Sequence, residues 1–302
     1  MPAWNDVLKE IQGYQHRVIH SLDLVRHKYL ADLHQKTGRN IIAYYSAFLT
    51  KNAQQVGITN EDLNGFMMAV SGMDVKKGLD LILHTPGGSV AATEPIVHYL
   101  RQKFDKDIRA IVPHLAMSGG TVIACSCKEI ILAKHSQLGP TDPQVSGVPA
   151  AGVKKEFDRA CKEVRKDPSV LPLWQTIVGK YEPTFLDECE NAIKRSIKFV
   201  EKQLESVMFA GEANAKLKSK RIVKRLNDYT ENKGHDKPIH IDECRDMKLK
   251  VVALESDNDL QDLVLTVHHC YMHTFGSSSA FKIIENERGV AVVKHAAVAQ
   301  QA

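Results

Sequence analysis

The sequence of 302 residues lacks a strong charge of either sign: 40 basic residues against 36 acidic ones leave a formal net charge of +4. So mild a balance excludes nucleic acid as an expected partner. One basic run, Lys216-Leu217-Lys218-Ser219-Lys220-Arg221 continuing to Lys224-Arg225, is locally stronger and reads as the solvated face of a helix. Long hydrophobic runs are missing too. The longest uncharged stretch, Ala110 to Cys127, contains Pro113, His114, Ser118, Gly119 and Gly120, which suit a strand, a turn and a helix rather than a membrane span. Residues 1–33 carry charges throughout with no apolar leader core, so a cytoplasmic protein is expected. The six cysteines show no disulfide-dense spacing and are expected as reduced thiols, Cys125 and Cys127 as core packing. No Gly-x-Gly-x-x-Gly follows a strand, and no phosphate loop ends in Gly-Lys-Ser/Thr. His269 and His273 stand four apart on a helix, but beyond His268 and Cys270 no third ligand is evident, and His-Glu-x-x-His is absent. Neither cofactor nor metal is expected.

What is present is ordinary globular material, 43% hydrophobic and 25% charged, long enough to bury a full core. An N-terminal arm, residues 1–34, has Val7, Ile11, Val18, Leu22, Val25 and Leu30 at roughly helical intervals, an apolar face for a partner subunit or for the chain's own core. A strand at Ile41–Tyr45 follows. A helix then begins near Asn60–Leu63, with Leu63, Phe66, Met67 and Val70 as its buried stripe. Residues 35–255 read as one α/β domain. Its centre is β-α-β-α-β: strand runs Leu79–Leu83, Ile108–Val112 and Glu129–Ala133, with helices from Ser89 to about Phe104 and Gly119 to about Cys127. Residues 151–229 form a charged helical insertion interrupted at Pro168, Pro172 and Pro183, and residues 256–302 a helix-and-strand extension.

Two of the strands end in glycine turns, His84-Thr85-Pro86-Gly87-Gly88 and His114-Leu115-Ala116-Met117-Ser118-Gly119-Gly120. Right-handed crossovers put successive strand-to-helix turns on one edge of a parallel sheet, so the amides of Gly87 and Gly88 should meet the hydroxyl of Ser118. A serine beside free backbone N–H groups, at a helix N-terminus that favours negative charge, is the equipment of acyl transfer. Its bland counterpart is a serine that merely caps the helix.

Three segments in order, Leu83–Gly88, Pro113–Thr121 and Leu138-Gly139-Pro140-Thr141-Asp142-Pro143-Gln144, resemble the serine dehydrogenase proteinase family. That family is grouped with the Clp protease proteolytic subunit, signal peptide peptidase A and the crotonases. The resemblance extends to Gly38–Ser46 and His235–Ile239 and covers roughly residues 25–255. It implies a Clp/crotonase-like spiral of ββα units with a helical insertion, assembled as a homo-oligomer, and a serine peptidase acting on peptides or proteins, with a regulatory partner conceivable. Ser118 takes the nucleophile's place, and Gly88 with Gly119 the oxyanion hole. The general base departs from the Clp pattern, because the turn where that subunit carries a histidine reads Gly139-Pro140-Thr141-Asp142. Two kinds of base stay open. His235 approaches from the same sheet edge, with Asp142 orienting it or only anchoring its own turn. Lys155, with Lys154 as fallback, would serve in the manner of the signal peptide peptidases if burial lowered its pKa. Two other readings use the same fold: a crotonase-like acyl-coenzyme A enzyme, which needs no serine nucleophile, and a catalytically silent pseudo-peptidase scaffold.

Overall fold

The structure, a computed structural model, describes residues 4–13, 21–53, 55–232 and 234–296. In chain order the strands are β1 (Asn40–Ser46), β2 (Leu79–His84), β3 (Ile108–Val112), β4 (Leu115–Ala116), β5 (Glu129–Leu132), β6 (Gln137–Leu138), β7 (Gln144–Val145), β8 (Val148–Pro149), β9 (Val251–Ala253), β10 (Ala280–Asn286) and β11 (Ala291–His295). The helices are α1 (Trp4–Gly13), α2 (Ser21–Thr37), α3 (Asp62–Val70), α4 (Val90–Phe104), α5 (Gly119–Cys125), α6 (Ala150–Lys166), α7 (Leu171–Val178), α8 (Phe185–Gln203), α9 (Ala215–Leu226), α10 (Tyr229–Asn232), α11 (Ile241–Asp246) and α12 (Asn258–Ser277).

One seven-stranded sheet, ordered β11-β10-β1-β2-β3-β5-β9, is parallel from β1 to β9, with β10 and β11 added antiparallel at one edge. Its central strands β1, β2, β3 and β5 are buried on both faces, as their nearly continuous apolar sequences require, whereas the edge strands β9 and β11 are only partly covered. Register sets Ile42, Leu81, Ala110 and Ile130 in one row against the core that α4, α5 and α9 cover. The alternate residues Ala43, Ile82, Ile111 and Ile131 face a second core closed by α2 and α12. A shorter ladder stands off the main sheet: Thr85 bridges Ala116, β4 pairs with β6, and Leu138 bridges Ile239. Long strand, short strand and helix thus recur as ββα, most plainly in β3-β4-α5.

Several details differ from the sequence reading. Within the N-terminal arm the described residues form α1 and α2, and Val18 lies outside them. The apolar face of α2 is buried within the chain, where Leu30 and Leu33 meet Val264 and Val267 of α12. It is therefore not a free surface for a partner. In α3 the buried face is Asp62, Phe66, Ala69 and Val70, while Met67 is 48% exposed. Asp62 is held inside by its ion pair with Lys282. Pro172 does not interrupt a helix but sits in the first turn of α7, where its missing N–H leaves no bond unmade. Of the C-terminal extension, the described residues supply α12, β10 and β11, and the two strands join the edge of the main sheet.

A buried cluster joins these terminal elements. Arg26 donates to both Glu285 oxygens at 2.6 and 3.2 Å and to Thr274, and Tyr271 donates to Glu285 at 2.8 Å. Burial alone would raise the Glu285 carboxyl, but Arg26 and His27 outweigh it and hold it at about 2. His84 packs against His268 of α12, and burial first and the neighbouring His114 second push it down to about 3. Both folded values are depressed, so both groups contribute stability at high pH that is lost on acidification. The loss begins as pH falls below the ordinary imidazole value of 6.5 for His84, and below 4.5 for Glu285. Unfolding free energies from urea titrations between pH 8 and 4 should fall in two stages, by about 2 kcal/mol from His84 alone at pH 5, with His268, which desolvation also holds well below its ordinary value, adding to the loss in the same upper window. His84→Phe should flatten the upper stage, and an unchanged slope above pH 5 in that variant would exclude the assignment.

Candidate active site

The site grows out of backbone geometry at two turns. Gly87, at φ +93°, takes a conformation that suits glycine, and its N–H donates to Thr85 Oγ1 at 3.1 Å. Ser118, the residue before α5, stands at φ 49° and ψ −113°. That region is strained for a residue with a Cβ, and such strain persists only where surrounding structure imposes it. Here the imposing contacts are the hydrogen bonds Thr85 N–H to Leu115 O and Met117 N–H to Thr85 O, both 3.0 Å, which lace the two turns together. Ser118 makes no side-chain capping bond, whereas Ser89 at the start of α4 accepts from the Ala92 N–H. The capping explanation for Ser118 therefore falls away.

The turns are in contact despite their distance in sequence. A Cβ built on Gly87 would lie 2.7 Å from Ser118 Cβ and 2.8 Å from Gly119 N; one on Gly119 would lie 2.8 Å from Gly88 O and 3.1 Å from Gly88 N. Among the described residues, neither the Gly88 nor the Gly119 N–H donates to a protein acceptor. Both turns border a cleft of about 690 Å³.

Asp142 and His235 line the same cleft. Asp142 is 2% exposed, and its turn is fixed from several sides. Gly139 N–H donates to Thr121 Oγ1 at 2.9 Å, Thr141 N–H to Leu226 O at 3.0 Å, and Ser196 Oγ of α8 to Thr141 O at 2.9 Å. His235 lies on the loop between α10 and α11, whose exit is pinned where Ile239 and Leu138 exchange backbone hydrogen bonds. Its Nδ1 is 3.0 Å from Asp142 Oδ1.

The lysines are elsewhere. Lys154 is exposed on α6 and paired with Glu190 at 2.9 Å, which raises its pKa, the opposite of what a general base needs. Lys155 is also exposed and borders a separate hollow with Lys162, Lys220 and Lys224. The structure brings Ser118, Gly87, Gly88, Gly119, Asp142 and His235 to one cleft and leaves both lysines outside it. His268 stands edge-on to His84 at 5.1 Å between ring centroids, and no set of three or more metal-ligating side chains occurs among the described residues. All six cysteines are free, and burial pushes the Cys127 thiol up to about 12.

One wall was missed in the sequence. Glu188, Asn191, Ala192 and Arg195 of α8 line the cleft, with Arg195 bound to Glu94 of α4 through two hydrogen bonds of 2.9 and 2.8 Å. Their spacing, i, i+3, i+4 and i+7, marks one helix face, a signal legible in the insertion but indistinguishable there from solvated surface.

A spiral of ββα units carrying a serine at a strand-to-helix turn beside a double glycine is the architecture of the Clp and crotonase class. Within that class the chain belongs to the family of ClpP-like SDH-type serine proteinases, which it matches over residues 18–284. It is also similar to two proteins of Methanocaldococcus jannaschii. One is Uncharacterized protein MJ0137, 30% identical over 260 residues, covering 83% of this chain and 79% of the relative. The other is Uncharacterized protein MJ1495, 31% identical over 220 residues, covering 73% of this chain and 66% of the relative. No helix among the described residues is long and apolar enough to cross a membrane.

Proposed function

We propose that this chain is a serine peptidase in which Ser118 attacks the substrate carbonyl, His235 is the general base, and Asp142 orients His235. The observation that carries the reading is the strained Ser118 backbone at a turn that shares its cleft with the Asp142–His235 pair. With Nδ1 held by a buried carboxylate, the other ring nitrogen, Nε2, is the one to accept the serine proton. Asp142 stabilises the imidazolium that results. The oxygen of the tetrahedral intermediate is received by the N–H groups of Gly88 and Gly119, each such donor contributing roughly 3–4 kcal/mol. His235 then returns its proton to the departing amine, and water repeats the sequence on the acyl-enzyme.

The peptide runs through the cleft against the α8 wall. A fluorophosphonate probe tests the proposal, and its adduct should map to Ser118 by mass spectrometry. Turnover of acyl-coenzyme A substrates without labelling would replace this reading with the crotonase one. No labelling by an intact assembly would replace it with the scaffold.

Homo-oligomeric assembly belongs to the same proposal. It is supported by Leu171 and Leu173, 43% and 60% exposed on α7, beside an apolar hollow bordered by Cys161, Val164 and Trp174. Light scattering should give a closed species larger than a dimer, and a monomer at micromolar concentration would refute it.

A further inference from the structure

Behind the Gly87-Gly88 turn, on the side away from Ser118, lies a short segment, Gly57-Ile58-Thr59. Ile58 N–H donates to Gly87 O at 2.7 Å, and Ile58 pairs with Gly88 as an isolated parallel bridge. The approach leaves no room for side chains. A Cβ on Gly57 would fall 2.8 Å from Gly87 O, and one on Gly88 would strike the Ile58 backbone. This contact has a direct stereochemical consequence. Gly87 C=O and Gly88 N–H belong to one planar trans peptide, so a carbonyl fixed toward Ile58 fixes the N–H in the opposite direction. Whatever holds Ile58 in place therefore sets the aim of the Gly88 N–H.

The segment is held by a buried ion pair from distant parts of the chain. Lys282 of β10, 1% exposed, donates to Gly57 O at 2.6 Å and to both Asp62 oxygens at 3.0 and 2.9 Å. Asp62, fully buried at the start of α3, accepts from Thr59 N–H at 2.9 Å, Thr59 Oγ1 at 3.2 Å and Tyr44 OH at 2.8 Å, with Lys294 at 3.3 Å. Ile58 is thus clamped on both flanks, through the carbonyl before it and the amide after it. An ion pair in such a place is a poor source of net stability, because desolvation offsets most of its attraction and an apolar pair of similar volume often serves as well. What an apolar pair cannot supply is a charged donor fixed on the Gly57 carbonyl.

We infer that Lys282 and Asp62 are positioning residues for the oxyanion hole, acting through Ile58 on the Gly87–Gly88 peptide. The inference rests on the peptidase reading of the cleft for its kinetic consequence but not for its structural one.

The test uses the full chain with Lys282→Met and the charge-neutral double variant Asp62→Asn/Lys282→Met, the second because it leaves no unpaired buried carboxylate. In folded protein, kcat should fall about 10- to 100-fold with KM within about threefold, a partial version of losing one oxyanion donor. The rate of fluorophosphonate labelling should fall in parallel. Unchanged kcat in a folded double variant with a lowered melting temperature would overturn the inference and leave the pair purely structural. A crystal structure of the double variant reads the same point without activity: the Gly87 carbonyl should have left Ile58 and the peptide turned. A folded variant with that peptide in place refutes the positioning role. Absence of labelling in the unsubstituted protein would instead refute the peptidase reading, with the crystal structure still deciding this one.

Discussion

Ser118→Ala should abolish peptide hydrolysis, lowering kcat by at least about four orders of magnitude, and should eliminate fluorophosphonate labelling altogether. Removing the nucleophile leaves only the binding and electrostatic contributions, so a small residual rate over water is expected. The fold should be unaffected. The Ser118 side chain makes no capping bond, and alanine keeps the Cβ that the turn at φ 49° already accommodates. Circular dichroism and the melting temperature should therefore match those of the unsubstituted protein. Full peptidase activity in Ser118→Ala would remove the proposed mechanism at its root.

The second large effect is expected at Asp142. Asp142→Asn should reduce kcat by about 10³- to 10⁴-fold, with far less change in KM. The reason is tautomeric. The carboxylate 3.0 Å from His235 Nδ1 favours a proton on that nitrogen and leaves Nε2 free to accept from Ser118. An amide nitrogen turned toward Nδ1 would favour the other tautomer, whose Nε2 already carries a proton. The substitution is isosteric in a turn held mainly by Gly139, Thr141 and Ser196, so folding should survive it. His235→Gln should be as severe as Ser118→Ala. Lys155→Met, exposed and outside the cleft, should retain activity. Loss of activity in Lys155→Met together with an active Asp142→Asn would reverse the assignment of the base.

The difference between these two predictions mirrors what the sequence could disclose. Ser118 and the glycines were readable because their setting is local: an apolar run, a glycine turn, and a helix-compatible stretch follow one another without interruption along the chain. The strands β2, β3 and β5 were readable for the same reason, each being a short apolar run closed by a turn. Met67 was misplaced because helical periodicity leaves the buried face uncertain by one position, and Asp62, a charged residue, shares the face that is buried. Pro172 was misread as a break because position within the first turn, not residue type alone, determines whether proline is tolerated.

Sequence alone thus determined the parallel α/β core, the two glycine turns and the serine between strand and helix. Each follows from steric rules acting over a few residues: side-chain periodicity, the φ freedom of glycine, and the handedness of crossovers. Only the tertiary structure decided that Asp142 meets His235 across 93 residues, that Lys154 and Lys155 lie outside the cleft, that α8 builds its wall, and that Lys282 reaches the loop behind Gly87. Those pairings join side chains from elements far apart in the chain. No local preference encodes them, because the distances are fixed only when the sheet order and the packing of the insertion bring the elements together.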